Sequence, residues 1–227
     1  MQQVLFAENV IHMDACGETL IYLNDKNELY GVGNNGSGQL GQPIEEQDWR
    51  TYIAYDAYNQ CCVTEPVFIM DHVKYASAGG GYIMVLQEDG TLYTMGTNLS
   101  GELGNGTARP VVNEWYAKEG TVYSSEPVHV LDDIAFIAAD SSTAAAISKK
   151  GDLWMWGDNS FGEIGNSRRG NGMPSVSTDV VSEPYLALKK VKEVYFEDWT
   201  VYAVNFDGQK YRWGKNAAAT PKLVEEN

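Results

Sequence analysis

A motif that recurs along the chain constrains its fold more than any other feature. An apolar run ending in glycine is followed by a polar turn and then by Gly-Gln/Glu-Leu/Ile-Gly. Three copies span Leu29–Gly41, Leu92–Gly104 and Leu153–Gly165, and a degraded fourth begins at Lys210. We interpret the glycines of the motif as structural residues: Gly33, Gly41, Gly96, Gly104, Gly157, Gly165 and Gly214. The copies lie 63, 61 and 57 residues apart, and such a period predicts a repeat architecture.

Each repeat carries signals for four short strands. Asp-Gly between two apolar runs, as at Asp89-Gly90, is the strongest short hairpin signal because both central residues of the favoured turn need positive φ. Runs such as Leu153–Trp156 are apolar at every position, which is typical of a sheet covered on both faces. A further strand is predicted to start at a Glu-Pro pair, and proline there suits an outermost strand. These prolines are Pro66, Pro127 and Pro184.

Small residues form the strand that would lie innermost, as in Ala76–Gly81 and Ala138–Ser142. Stacked four-stranded sheets that crowd towards an axis make a β-propeller. The sequence therefore predicts an all-β propeller of about four four-stranded blades, with a ring that need not be complete. We expect one domain over 1–227, with repeats at about 10–71, 73–132, 134–189 and 191–227, and an extra outer strand at 2–9. A β-sandwich would explain neither the period nor the small residues.

In their order, these elements resemble the RCC1 repeat of the regulator-of-chromosome-condensation family, over nearly the whole chain. Where that family often carries Cys-Gly and a histidine before the second strand, this chain has Thr19, Tyr82, Thr143 and Thr200. The resemblance implies a propeller, and the family's best-known member promotes nucleotide exchange on a small GTPase and docks on chromatin. No partner-contacting motif of that protein can be placed on these residues. A tryptophan-and-arginine repeat motif of some relatives is missing, and Trp199 alone does not supply one.

The charge of the chain bears on its partners. Sixteen basic and 31 acidic side chains give a formal net charge of −15 and a pI of about 4.5. Such a field repels phosphate backbones, so we expect no nucleic-acid partner. We interpret the basic doublets as solvated turns rather than as a phosphate site: Lys149-Lys150, Arg168-Arg169 and Lys189-Lys190.

The remaining composition indicates neither a disulfide scaffold nor a cofactor. Three cysteines, Cys16, Cys61 and Cys62, are interpreted as free thiols, which with the absence of a signal peptide favours the cytoplasm. Three scattered histidines do not have the spacing of a metal site, and we predict no cofactor and no metal. No apolar run is long enough to cross a membrane as a helix, so no membrane partner is expected.

Long excursions after the third strands are the candidate binding segments, at 42–64, 105–125 and 166–182. Equivalent insertions in a repeat protein fall on one face, which is often the binding face. The first two are rich in aromatic residues, and the third is polar. The candidate binding residues are Trp49, Arg50, Tyr52, Tyr55, Trp115 and Tyr116.

Two functions fit this pattern. No spacing of a known reaction centre is present, so the first hypothesis is a non-catalytic scaffold that binds a protein partner through the loop face of the blades. The alternative is a carbohydrate-binding or glycoside-processing propeller, because carboxylates stand among the aromatic residues of the excursions. These carboxylates are Glu45, Glu46, Asp48 and Glu114.

The two ends of the chain supply one outer strand more than four blades need. Residues 4–10 align with 67–73, and Pro221–Asn227 also reads as an outer strand. The chain could be part of a longer propeller, two copies could complete a ring, or four blades could close alone. An open arc exposes sheet edges and apolar faces that proteins normally cover. We therefore expect either self-association as a dimer or further blades in a longer parent chain.

Overall fold

The computed structural model describes residues 7–42, 62–108, 123–173 and 179–225. These residues form sixteen strands and no helix. The first blade contains β1 (Val10–Cys16), β2 (Thr19–Asn24), β3 (Leu29–Asn34) and β4 (Cys62–Met70). The second contains β5 (Val73–Ala78), β6 (Tyr82–Gln87), β7 (Leu92–Thr97) and β8 (Tyr123–Leu131). The third contains β9 (Ile134–Asp140), β10 (Thr143–Ser148), β11 (Leu153–Asp158) and β12 (Val180–Leu188). The fourth contains β13 (Val191–Glu197), β14 (Thr200–Asn205), β15 (Lys210–Gly214) and β16 (Lys222–Leu223).

Each blade is an antiparallel meander whose strands pair in chain order. The innermost strands β1, β5, β9 and β13 follow one another in space, each against the next. The predicted all-β propeller of four four-stranded blades is confirmed, and the four blades do not close a ring. The predicted extra outer strand at 2–9 lies largely outside the described residues and stays a prediction.

The glycine that ends each apolar run has the same place in every blade. Gly33, Gly96, Gly157 and Gly214 pair with the first residue of the second strand, at Thr19, Tyr82, Thr143 and Thr200 respectively. Gly157 has a φ of +103°, and a Cβ atom there would lie 2.2 Å from the carbonyl oxygen of Ser142. Only glycine accepts both the positive φ and this close approach.

Two details of the sequence prediction are wrong. Gly79–Gly81 and Ser141–Ser142 are not part of the inner strands but form the turns between β5 and β6 and between β9 and β10. There the Gly80 N–H donates to the carbonyl oxygen of Ser141 in the third blade at 2.6 Å, and a Cβ on Gly80 would lie 2.9 Å from that oxygen. The prolines lie in the middle of the outer strands rather than at their starts. Near Pro66 the register shifts between Gly31 and Gly33, which is the bulged edge geometry that tolerates proline.

The core lies between the blades. Three clusters of buried apolar residues fill the three junctions, for example around Ile83, Trp156 and Trp213. The Trp156 indole N–H donates to the Glu102 carbonyl at 2.9 Å, and that of Trp213 donates to the Glu163 carbonyl at 2.6 Å. Each indole therefore ties its blade to the turn of the preceding one. At the first junction the equivalent position is Met95, which has no N–H to donate.

The residues that stand in place of the family's Cys-Gly and histidine make hydrogen bonds to backbone carbonyls. The hydroxyls of Thr19, Thr143 and Thr200 donate to the carbonyl of the residue that follows the motif glycine of the third strand in their own blade, at 2.9 to 3.1 Å: Asn34, Asp158 and Lys215. Tyr82 instead reaches the next blade, where its hydroxyl donates to the Thr143 carbonyl at 2.7 Å. Burial raises the pKa of Tyr82 well above its usual value, so the phenol stays protonated as a donor.

Candidate binding face

The excursions leave the blades at the end where the turns between the first and second strands also lie. We call this end the loop face, and its described residues are 17–18, 35–42, 79–81, 98–108, 141–142, 159–173, 198–199 and 215–220. The predicted binding residues Trp49, Arg50, Tyr52, Tyr55, Trp115 and Tyr116 lie outside the described residues and stay predictions. The same holds for the carboxylates Glu45, Glu46, Asp48 and Glu114.

A buried asparagine fixes the polar turn after the third strand in each of the first three blades. The side-chain carbonyl of Asn35 accepts the Leu40 N–H at 2.9 Å, and that of Asn159 accepts the Ile164 N–H at 3.0 Å. Asn98 binds the Leu103 N–H in the same way at 3.0 Å. Since these turns carry the excursions, the asparagines hold the base of the loop face rigid.

The next polar position of these turns is a glutamine in the first blade and a glutamate in the second and third. Gln39 accepts the Ser37 N–H at 3.0 Å, Glu102 accepts the Ser100 N–H at 2.7 Å and Glu163 accepts the Phe161 N–H at 2.8 Å. Burial raises the pKa of Glu102 and of Glu163 to about 7. Buried so deeply, these carboxyls support the turns and are not placed to act on a substrate.

An aromatic and cationic cluster lies on the loop face where the third and fourth blades meet. The rings of Phe161 and Trp199 have centroids 5.7 Å apart. The Lys215 ammonium lies 4.3 Å from the Trp199 ring centroid and 5.6 Å from that of Phe161, and it pairs with the Asp198 carboxylate at 2.8 Å. We call Phe161, Asp198, Trp199 and Lys215 the Trp199 cluster.

Asp198 and Trp199 form a two-residue hairpin turn in which both residues adopt the left-handed backbone conformation. Their φ values are +47° and +54°. A bulky side chain at positive φ is rare. Trp199 is half-buried, and the nearby Met173 is 58% exposed on the same face. Aromatic rings and methionine are among the side chains that protein interfaces enrich.

The basic doublet of the third excursion has a structural role. Arg168 forms an ion pair with the buried carboxylate of Asp179. Arg169 donates to the carbonyl oxygens of Gly214 at 3.0 Å and Ala217 at 2.6 Å, both in the fourth blade. The doublet therefore ties the third excursion to its own blade and to the next, which differs from the solvated turn that the sequence predicts.

The described residues contain no group of three or more histidine, cysteine or acidic side chains that could hold a metal ion. Lys215 lies over the Trp199 ring, where a sugar would otherwise stack.

No helix of the described residues is long and apolar enough to cross a membrane. What the loop face offers is a rigid frame that presents aromatic and charged side chains.

The fold defines a β-propeller of sequence repeats, and comparison with known proteins agrees. The chain is 29% identical over 165 residues to the X-linked retinitis pigmentosa GTPase regulator of Canis lupus familiaris, covering 70% of this chain and 14% of that protein. It is 28% identical over 219 residues to the human E3 ubiquitin-protein ligase HERC2, covering 94% of this chain and 4% of that protein. No family model matches the chain.

Among solved structures, yeast RCC1 (Prp20) bound to Kap60 superposes with a TM-score of 0.71 at 20% identity, covering 99% of this chain and 50% of that one. Together with the repeat motif, these similarities support an RCC1-like repeat protein. It spans only a small part of the curated relatives and about half of the solved propeller. The relatives are named as regulators and as a ligase, and the yeast protein is seen bound to another protein.

Sequence reasoning missed the Trp199 cluster. Phe161, Trp199 and Lys215 are distant in sequence, and only the packing of the fourth blade on the third brings them together. A usable signal was present, because Asp198-Trp199 stands at a hairpin turn where the other repeats carry no aromatic residue: Gly17-Glu18, Gly80-Gly81 and Ser141-Ser142. A tryptophan in such a turn is an exception that needs a reason.

Proposed function

We propose that the chain is a non-catalytic scaffold whose loop face binds a protein partner. The observation that carries the proposal is the Trp199 cluster, which presents a tryptophan at positive φ beside Phe161 and Lys215 on a rigid frame. Aromatic residues in such settings dominate protein-binding energy because they bury a large area at little cost in conformational entropy. The predicted residues Trp49, Arg50, Tyr52, Tyr55, Trp115 and Tyr116 would extend the same face.

The test compares variants at the two ends of the blades. Trp199→Ala and Phe161→Ala remove rings from the loop face, whereas Phe206→Ala removes a ring that is 62% exposed in the β14–β15 turn at the opposite end. Each tagged protein captures proteins from a lysate of the source cells, quantified by mass spectrometry. We expect the wild type and Phe206→Ala to retain a partner that the two loop-face variants lose at least about tenfold. Equal recovery by all four proteins contradicts the proposal.

The alternative is a propeller that binds or processes carbohydrate through its aromatic and acidic excursions. Its support is the set of aromatic rings on the loop face, of which Phe161 and Trp199 are described. A glycan array tests binding, and Trp199→Ala should abolish any signal that depends on these rings. Saccharide hydrolysis that is lost on alanine substitution of Glu45, Glu46, Asp48 and Glu114 would favour the enzyme. We expect neither binding nor hydrolysis.

We also propose that residues 1–227 form one propeller domain that self-associates or continues into further blades. Support comes from the open arc of four blades and from a match to half of the yeast RCC1 chain. Cys16 and Cys62 are free thiols, which supports a reducing compartment such as the cytoplasm. Light scattering gives the mass of the assembly directly.

A further inference from the structure

The two end blades differ from the inner blades on the faces that point out of the arc. We call the face of a blade that points to the next blade its forward face, and the opposite one its rear face. Residues directly opposite each other on paired strands share a face. The register therefore gives each face as a row of four side chains, one from each strand.

The rear row of the first blade is apolar. It consists of Met13, Tyr22, Tyr30 and Phe68, which pair in turn across β1 to β4. Tyr22 and Tyr30 stack with centroids 5.5 Å apart, and Phe68 meets Tyr30 edge-on at 5.7 Å. Met13 is 61% exposed, whereas its equivalents Ala76, Ile137 and Val194 are at most 4% exposed against the preceding blade.

The forward row of the fourth blade is aromatic and cationic. It consists of Tyr195, Tyr202, Arg212 and Lys222, which pair in turn across β13 to β16. Tyr195 and Tyr202 stack with centroids 5.1 Å apart and rings 7° from parallel. In the third blade the same row is Ala138, Ala145, Met155 and Tyr185. The fourth blade thus carries two cations where the third carries none.

These two rows match each other in chemistry and in position. Blades stack with inner strand against inner strand, so Arg212 and Lys222 on the outer strands would face the Tyr30 and Phe68 rings. Tyr195 and Tyr202 on the inner strands would face the exposed Met13, beside which Tyr22 is only 7% exposed. Cations over aromatic faces and methionine against rings are both favourable contacts. Tyrosine, methionine and arginine are also the residues that protein interfaces enrich.

The net charge restricts where two copies could meet. At −15, two copies repel each other over most of their surfaces. The forward face of the fourth blade offsets that repulsion, because its cations Lys210, Arg212 and Lys222 outnumber Glu193 and Glu197 on the same face. The rear row of the first blade brings no cation to oppose them. Charge therefore favours contact between the fourth blade of one copy and the first blade of another.

We propose that two copies of the chain join head to tail, with the forward row of each fourth blade packed on the rear row of the other copy's first blade. Two such contacts, related by a twofold axis, close a ring of eight blades. This inference rests on the self-association proposed above and not on partner binding by the loop face.

The test uses one exposed residue from each row. Met13→Glu places a charge in the rear row of the first blade. Tyr195→Glu places one in the forward row of the fourth blade, where Tyr195 is 49% exposed. Leu99→Glu is the matched control, because Leu99 is 47% exposed on the loop face of the second blade. Far-UV circular dichroism verifies that each variant keeps its strands. Light scattering at micromolar concentration then measures mass.

We expect the wild type and Leu99→Glu to have twice the 25.1 kDa mass of one chain. Met13→Glu and Tyr195→Glu alone should each have the mass of one chain, because every head-to-tail contact then contains a damaged row. A mixture of the two should recover the doubled mass, since one intact contact remains between unlike copies. This recovery is specific to head-to-tail pairing.

Other outcomes overturn the inference in distinguishable ways. A monomeric wild type contradicts both self-association and the head-to-tail ring. The forward row of the fourth blade would then only keep the exposed face of that blade soluble. A dimer that survives Tyr195→Glu but not Met13→Glu, with no recovery on mixing, shows that two first blades meet face to face. A dimer that survives both variants contradicts the assigned surfaces while self-association stands.

Discussion

The indole nitrogen of Trp213 donates a hydrogen bond of 2.6 Å to the carbonyl oxygen of Glu163, so the fourth blade supplies the partner for a turn of the third. Trp156 makes the same bond to Glu102 one blade earlier, at 2.9 Å. Both indoles are fully buried. The turns that carry the loop face are thus completed only when the next blade is in place.

Trp213→Phe should destabilise the protein by about 2 kcal/mol, because it leaves the Glu163 carbonyl without its buried donor and also loses packing. Trp154→Phe is the control, since Trp154 is only half-buried and should cost less. Urea unfolding followed by circular dichroism measures both changes. Equal losses in the two variants would show that ring volume, and not the hydrogen bond, matters at Trp213.

Glu163→Gln should stabilise the protein above neutral pH. Burial raises the pKa of Glu163 from 4.5 to about 7 in the folded state. Its contribution to stability is therefore full below pH 4.5 and is lost as pH rises through 7, by an amount on the order of 3 kcal/mol. Glutamine, which Gln39 already provides in the first blade, accepts the same backbone N–H without the charge.

The measurement is the free energy of unfolding of the wild type and Glu163→Gln between pH 5 and 9. The wild-type value should fall more steeply towards high pH than that of the variant. Glu193→Gln is the matched control, because the Glu193 side chain is 56% exposed and its loss should leave the slope unchanged. Parallel curves for the wild type and Glu163→Gln would contradict the prediction.

Gly157→Ala should cost more than about 4 kcal/mol, because the new Cβ would meet the Ser142 carbonyl oxygen at 2.2 Å. Gly208→Ala isolates the cost of positive φ, since Gly208 has a φ of +80° and no atom within 4 Å of the added carbon. That variant should lose only about 1 to 2 kcal/mol. Thermal unfolding compares the two, and similar losses would mean that the close approach is relieved by small shifts.

Much of the fold was predictable because the period of the repeat is a property of the sequence itself. The glycines at 33, 96, 157 and 214 mark third strands in all four blades. The position of Pro66 within β4 was not predictable, because the bulge there depends on how a long excursion returns to the sheet. The burial of Glu102 was also hidden, since its sequence neighbours resemble those of an exposed polar turn.

The candidate site was less accessible to prediction. Phe161 and Lys215 meet Trp199 only through the packing of two blades, and neither stands in a distinctive motif. The two outward rows were hidden for another reason. Tyr202 and Arg212 read as ordinary strand residues until the register shows that they lie side by side on one face.

Met95 stands where the third and fourth blades carry a buried tryptophan, so the three junctions between blades differ in stability. All three junctions have an apolar core, and the second and third also have a buried indole hydrogen bond between blades. The first junction has half-buried hydrogen bonds from His12 and Asp14 to β5 instead. Opening should therefore start at the N-terminal end, with the first blade detaching while the other three stay together. Amide protons of β2 and β3 should then exchange with solvent through an opening of lower free energy than the one that exposes those of β10 and β11.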